Sequence, residues 1–164
     1  MPEQKHAPPR SIPKDSSGYL AILSKTVFQS GLSYQVVESK WPGFLKAFEG
    51  FDPEKVAEFG PPDVDRLVND ASIIRNGRKI QGTIENARMM NELSEEHGSM
   101  RGWLDSLAHL PWPARKKAAA KPFKFLGPKG VYYYLYCVGD SVPPHDQEET
   151  WTEPVPAGSP EGLA

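Results

Sequence analysis
What most constrains this chain is its punctuation. Seventeen prolines and 14 glycines among 164 residues divide the apolar positions into short runs, and most of those runs keep a helical spacing. In "KDSSGYLAILSKTVFQSGLSYQVVESKWPG", Asp15, Ser16 or Ser17 is suited to cap a helix carrying Tyr19, Leu20, Leu23, Val27 and Phe28. Gly31 interrupts it, and Trp41-Pro42 is expected to stop the next segment. "FDPEKVAEFG" carries Asp52 as cap, Pro53 at the first helical position and Gly60 at the end. A short helix follows over "PPDVDRLVNDASII", and Asn76-Gly77 reads as a turn. Ile80, Ile84, Ala87 and Leu93 then mark one face of a long helix ending near His97-Gly98. Ser99 is placed to cap the next helix, in which Trp103, Leu104, Leu107 and Leu110 are apolar. "PARKKAAAK" and the stretch from Pro128 to Val138 supply the last two helices. No segment alternates cleanly except "YYYLY", which its length and its Pro128 start assign to helix. The expected fold is all-α, with seven or eight short helices around one core.

The ends differ from the middle. Residues 1–14 hold four prolines, and residues 147–164 hold three prolines and four glutamates. Both read as disordered tails flanking one domain over 15–146. The formal net charge of −2 conceals this asymmetry, because residues 1–145 carry 19 basic and 16 acidic side chains. Between Asp105 and Asp140 there is no acid, but Arg115, Lys116, Lys117, Lys121, Lys124 and Lys129 are present. Such a stretch suits a phosphate backbone, although composition alone favours a solvated lysine-rich helix. Cys137 is the only cysteine, which excludes an internal disulfide and suits the cytoplasm. No apolar run reaches the ~18 residues of a membrane span. The chain has no G-x-x-x-x-G-K-[ST] loop, no H-E-x-x-H and no C-x-x-C.

"FKFLGPKG" joins two predicted helices and raises the most specific physical expectation. Its small residues let backbone approach a partner closely. A helix beginning at Pro128 presents N–H groups without internal partners, which attract anions. Lys124, Gly127 and Lys129 are therefore candidate contacts to a DNA phosphate in a helix-hairpin-helix element that reads no sequence. Arg75, Asn76, Arg78 and Lys79 form a second basic group, with Arg75 and Asn76 as candidate DNA contacts or parts of a plain turn. Tyr132, Leu135 and Tyr136 are expected in the core, as are Trp41 and Trp103.

Three blocks, "FQSGLSYQVV", "FDPEKVAEFGPPDVDRLVNDASIIRNGRKIQGTIENAR" and "FKFLGPKGVYYYLYCVG", together resemble the DNA-3-methyladenine glycosylase I family of the helix-hairpin-helix superfamily. The resemblance runs from about Tyr19 to His145. It implies a monomeric, monofunctional base-excision enzyme of the cytoplasm, bound to the nucleoid when on DNA. Such an enzyme needs no cofactor and binds double-stranded DNA containing alkylated bases. It would turn an alkylated purine out of the duplex and hydrolyse its bond to the sugar. Counting from the shared block, Thr26 stands where the family has a pocket glutamate, Gln29 is its glutamine, and Tyr34 replaces its stacking tryptophan. The superfamily's aspartate in "G-x-x-V-P-x-x-D" corresponds to Asp146 of "GDSVPPHD", as the candidate catalytic carboxylate; it could equally begin an acidic tail. Asp140 and Glu38 are lesser candidates. The family's zinc ligands are not matched, His6 and His145 being the only histidines near those places, and no metal is expected. The alternatives are a catalytically weak or inactive protein that binds damaged DNA on the same fold, and an interaction module reusing the scaffold.

Overall fold
Five helices begin on a short polar side chain that accepts a hydrogen bond from the first turn, so local chemistry draws most of the boundaries. The computed structural model describes residues 10–157. Among these there are eight α-helices and no strand: α1 (Ser16–Gln29), α2 (Tyr34–Ala47), α3 (Pro53–Ala57), α4 (Pro61–Val68), α5 (Gly77–His97), α6 (Met100–Ser106), α7 (Trp112–Ala120) and α8 (Pro128–Cys137). Short 3-10 turns lie at Glu49–Phe51 and His145–Thr150. The caps are Asp15, Ser33, Asp52, Asn76 and Ser99. Asn76 is therefore more than a turn residue: its side chain accepts from the Lys79 N–H at 3.1 Å and starts α5.

Helix α5 is the central rod, touching α1, α3, α4 and α6, while α1 also packs on α8 and α2. Ile80, Ile84, Ala87 and Met90 of α5 are fully buried, as are Leu20, Leu23, Val27 and Phe28 of α1. Pro42 does not end the second helix, contrary to the local rule; α2 runs through it to Ala47. The lost backbone bond is outweighed by packing on both sides of the proline. Val37 and Phe44 are fully buried. The Phe44 ring lies 4.7 Å from Phe28 and 5.4 Å from Trp41, which stacks on Phe51 at 5.1 Å.

The chain after α8 is held by a collar of three arginines. The buried Asp140 carboxylate accepts from Arg101 and from Arg115, both at 2.5 Å. Arg115 is itself only 2% exposed and also donates to the Ser141 carbonyl. Arg10 donates to the carbonyls of Tyr136 and Asp140. Asp140 is therefore committed to holding the fold together. The collar also alters the picture of the tails: Ser11 N–H donates to the Cys137 carbonyl, Trp112 N–H donates to the Glu153 carbonyl, and Val155 is buried. Residues 10–14 and 147–157 are thus attached to the core. Burial pushes the Cys137 thiol up to about 11, so it remains protonated at neutral pH.

Candidate active site
The C-terminal end of α1, the start of α2, the α7–α8 connection and the turn after α8 enclose a cleft of about 770 Å³. Its wall includes Thr26, Gln29 and Tyr34 from the first two helices, and Gly127 and Lys129 from the start of α8. Five of the site residues read from sequence, from both halves of the chain, therefore meet on one cavity.

Each has a definite setting. Thr26 is nearly buried, and its hydroxyl donates to the Ile22 carbonyl at 2.9 Å. That bond is the back-bonding habit of a helical threonine, and it leaves Thr26 with acceptor lone pairs but no spare proton. Gln29 ends α1, and its Nε2 has no hydrogen-bond partner, a rare state for a buried donor. Tyr34 opens α2 behind the Ser33 cap. Burial and the nearby Glu38 carboxylate raise its phenol above the ordinary range. Lys25 bridges to Glu38 at 2.7 Å and sits 4.8 Å above the Trp41 ring. Glu38 thus belongs to a salt bridge beneath this corner and is absent from the cleft wall.

The α7–α8 connection, residues 121–127, is fixed from below. Asn86 of α5, almost fully buried, accepts from the Lys124 N–H at 2.7 Å and donates to the Lys124 carbonyl at 3.2 Å. Phe125 lies against Gly82 of α5, where a Cβ would come within 2.8 Å of its ring carbons. Gly82 is therefore a close-approach glycine. Phe125 itself holds φ at +61° and is 41% exposed on the cleft wall. Gly127 differs, since its φ of −86° suits any residue and a Cβ there would meet nothing within 4 Å. The open space in front of it is the cleft. No side chain caps α8, so the N–H groups of its first turn are available to an anion. Lys124 and Lys129 are exposed beside them.

Lys79 ties the second basic group to the same face. Its ammonium donates to the carbonyl of Ser30, a residue of the cleft wall, at 2.6 Å, and burial lowers its pKa. The α5 N-terminus is thereby held against the end of α1, with Arg75, Asn76 and Arg78 exposed next to it. Arg75, Asn76 and Lys124 flank the cleft without lining it. Asp146 also stands outside the wall, exposed on the His145–Thr150 turn.

Leu32, Phe125, Tyr133 and Glu149 are among the wall residues that the sequence did not single out. Tyr133 stands beside the buried Tyr132, their ring centroids 5.9 Å apart, and is itself only partly buried. Leu32 is 45% exposed and shares the cleft wall with the exposed Phe125. Glu149 was hidden by the acidic composition around it. The described residues contain no cluster of three His, Cys, Asp or Glu side chains that could hold a metal. His145 packs its ring 5.8 Å from Tyr132 and 6.3 Å from Tyr133, and His6 lies outside the described residues. Among the described residues no group of side chains fits the family's zinc.

A family model described as methyladenine glycosylase matches residues 10–121. The chain is 45% identical over 144 residues to DNA-3-methyladenine glycosylase 1 of Escherichia coli (strain K12), covering 76% of this chain and 77% of that protein. Among solved structures it resembles 3-methyladenine DNA glycosylase I from Staphylococcus aureus, with a TM-score of 0.69 and 25% identity over 78% of each chain. A solution structure of a 3-methyladenine DNA glycosylase I aligns with a TM-score of 0.65 and 31% identity, covering 81% of this chain and 79% of the other.

Proposed function
The chain belongs to the methyladenine glycosylase family, and on that premise we propose that it is a monofunctional DNA glycosylase releasing alkylated purines of the 3-methyladenine type. The observation that carries this reading is the shared cleft, with Thr26, Gln29 and Tyr34 on one side and the Gly127–Lys129 corner on the other. A base turned out of the duplex enters between the aromatic faces of Tyr34 and Tyr133. Gln29, with its unpartnered amide nitrogen, reads the edge of that base. The first turn of α8 with Lys129 and Lys124 grips phosphate, and Arg75 extends the grip along the strand. Asn76 contributes mainly by capping the helix beside Arg75. Leu32 and Phe125 are the apolar side chains suited to fill the gap left in the base stack.

The chemistry is undemanding for such a substrate. A ring-alkylated purine carries positive charge while joined to the sugar. Breaking the C1′–N bond returns the bonding electrons to the purine, which leaves neutral. The oxygen of water bonds to C1′, and its proton passes to solvent. The enzyme must mainly find, extrude and hold the base. Asp146 is placed to act only if its turn shifts toward the cleft when DNA binds. Incubation with randomly methylated DNA, followed by identification of the free bases, tests the activity. The expected result is release of 3-methyladenine above the rate without protein, and no release beside an active control enzyme rejects it.

Thr26 favours a second reading. Its hydroxyl proton is already given to Ile22, so it offers a base neither charge nor a donor. A protein that binds damaged DNA without efficient turnover fits that wall. Steeply salt-dependent DNA binding with no base release separates this reading from the first. Either activity takes place in the cytoplasm on nucleoid DNA, by a monomer. No helix among the described residues is long and apolar enough to cross a membrane.

A further inference from the structure
Among the described residues lining the cleft, Glu149 is the one carboxylate and Lys129 the one cation. Lys129 stands at the corner suited to phosphate. Glu149 takes no part in the ion pairs that tie its turn to the core, whereas its neighbour Glu148 is fully engaged. Glu148 pairs with Lys116 of α7 at 2.5 Å and accepts from the Trp112 indole N–H at 3.1 Å. Further anchors lie on either side. His145 packs on the Tyr132 and Tyr133 rings, and the Glu153 carbonyl accepts from the Trp112 N–H at 3.0 Å. A turn held at three points thus places one unengaged carboxylate on a wall shared with Thr26, Tyr34 and Tyr133.

We propose that Glu149 is the residue by which this cleft prefers a positively charged, ring-alkylated purine to an ordinary neutral base. The inference rests on the glycosylase reading for its biological meaning, but its physical content is a charge preference of the cleft itself. An ordinary purine offers a carboxylate only neutral N–H donors and no net charge. A purine alkylated on a ring nitrogen and still bonded at N9 is a cation, which the Glu149 carboxylate attracts across the cleft. Tyr34 and Tyr133 add to this attraction, since aromatic faces also favour cations. Glu149 is thus a specificity-determining residue contributed by a segment whose composition resembles a tail.

The test uses the full chain and two small probes that differ in charge. One is 3,9-dimethyladeninium, a permanent cation that reproduces the substituted base; the other is neutral 9-methyladenine. Binding is followed by calorimetry or tyrosine fluorescence. The wild type is expected to bind the cation at least tenfold more tightly than the neutral probe. Glu149→Gln should lower the ratio several-fold by weakening the cation, leaving only the smaller share owed to the tyrosine faces, and Glu149→Lys should lower it further. Glu153→Gln, four residues away and outside the cleft wall, should keep it. Circular dichroism of each variant checks that the exposed substitution leaves the fold intact. A wild type without preference, or a Glu149→Gln variant that keeps it, overturns the proposal. Base release from methylated DNA is measured in parallel. An intact charge preference without release rejects the glycosylase reading and leaves the proposal standing, whereas release that Glu149→Gln does not alter, with the probe ratio also unchanged, does the opposite.

Discussion
Gly127 carries the most direct expectation at the scale of a single residue. It sits in an ordinary extended conformation with vacant space in front of where a Cβ would project. The fold alone therefore does not require glycine there. Gly127→Ala should leave the urea midpoint unchanged within about 0.5 kcal/mol of stability. If the open space exists for a sugar-phosphate strand, the added methyl should weaken binding to duplex DNA about tenfold or more. Unchanged DNA affinity in a normally stable variant would remove Gly127 from the interface. Thr26 shows the opposite situation, a side chain whose identity was legible in the sequence but whose availability was not. Only the folded helix shows that its proton is already used within α1. Nothing in the letters around Thr26 distinguishes a hydroxyl facing a ligand from one facing its own backbone.

At the scale of elements, the α7–α8 connection depends on a residue far from it in sequence. Asn86 closes two hydrogen bonds with the backbone of Lys124, so the corner is registered on the central helix. Asn86→Ala leaves both backbone groups without partners and should cost about 1–3 kcal/mol. Hydrogen exchange at the Lys124 amide should accelerate, and DNA affinity should fall although no basic residue has changed. Protection at that amide equal to the wild type would show that the connection holds itself. Element existence was well marked by caps and prolines: Asp52-Pro53, Ser99 and Pro128 all begin helices where the letters place them. Asn76-Gly77, read as a turn leading into the long helix, is also its cap, through the Lys79 N–H donating to Asn76. Pro42 obeys the local rule less than it obeys the core, because Val37 and Phe44 must both be buried on the same rod.

The whole molecule is closed by ionic contacts as well as by its apolar core. Asp140 bridges Arg101 and Arg115, Asp105 also pairs with Arg101, and Arg10 reaches the same corner from the start of the described chain. Asp140→Asn leaves the buried Arg115 without its counter-charge, which should cost about 3–5 kcal/mol. Denaturant melts should show the loss, and a midpoint like that of the wild type would mean that the collar is dispensable. This long-range architecture was the least legible part of the chain. Composition marked residues 147–164 as a tail, yet Trp151 and Val155 of that stretch pack against the core. An acidic, proline-rich stretch needs only two well-placed apolar residues and one shared carboxylate to be held down. Because Glu149 arrives on the cavity wall from beyond α8, the cavity is finished only after the segment behind the last helix has docked on Lys116 and Trp112.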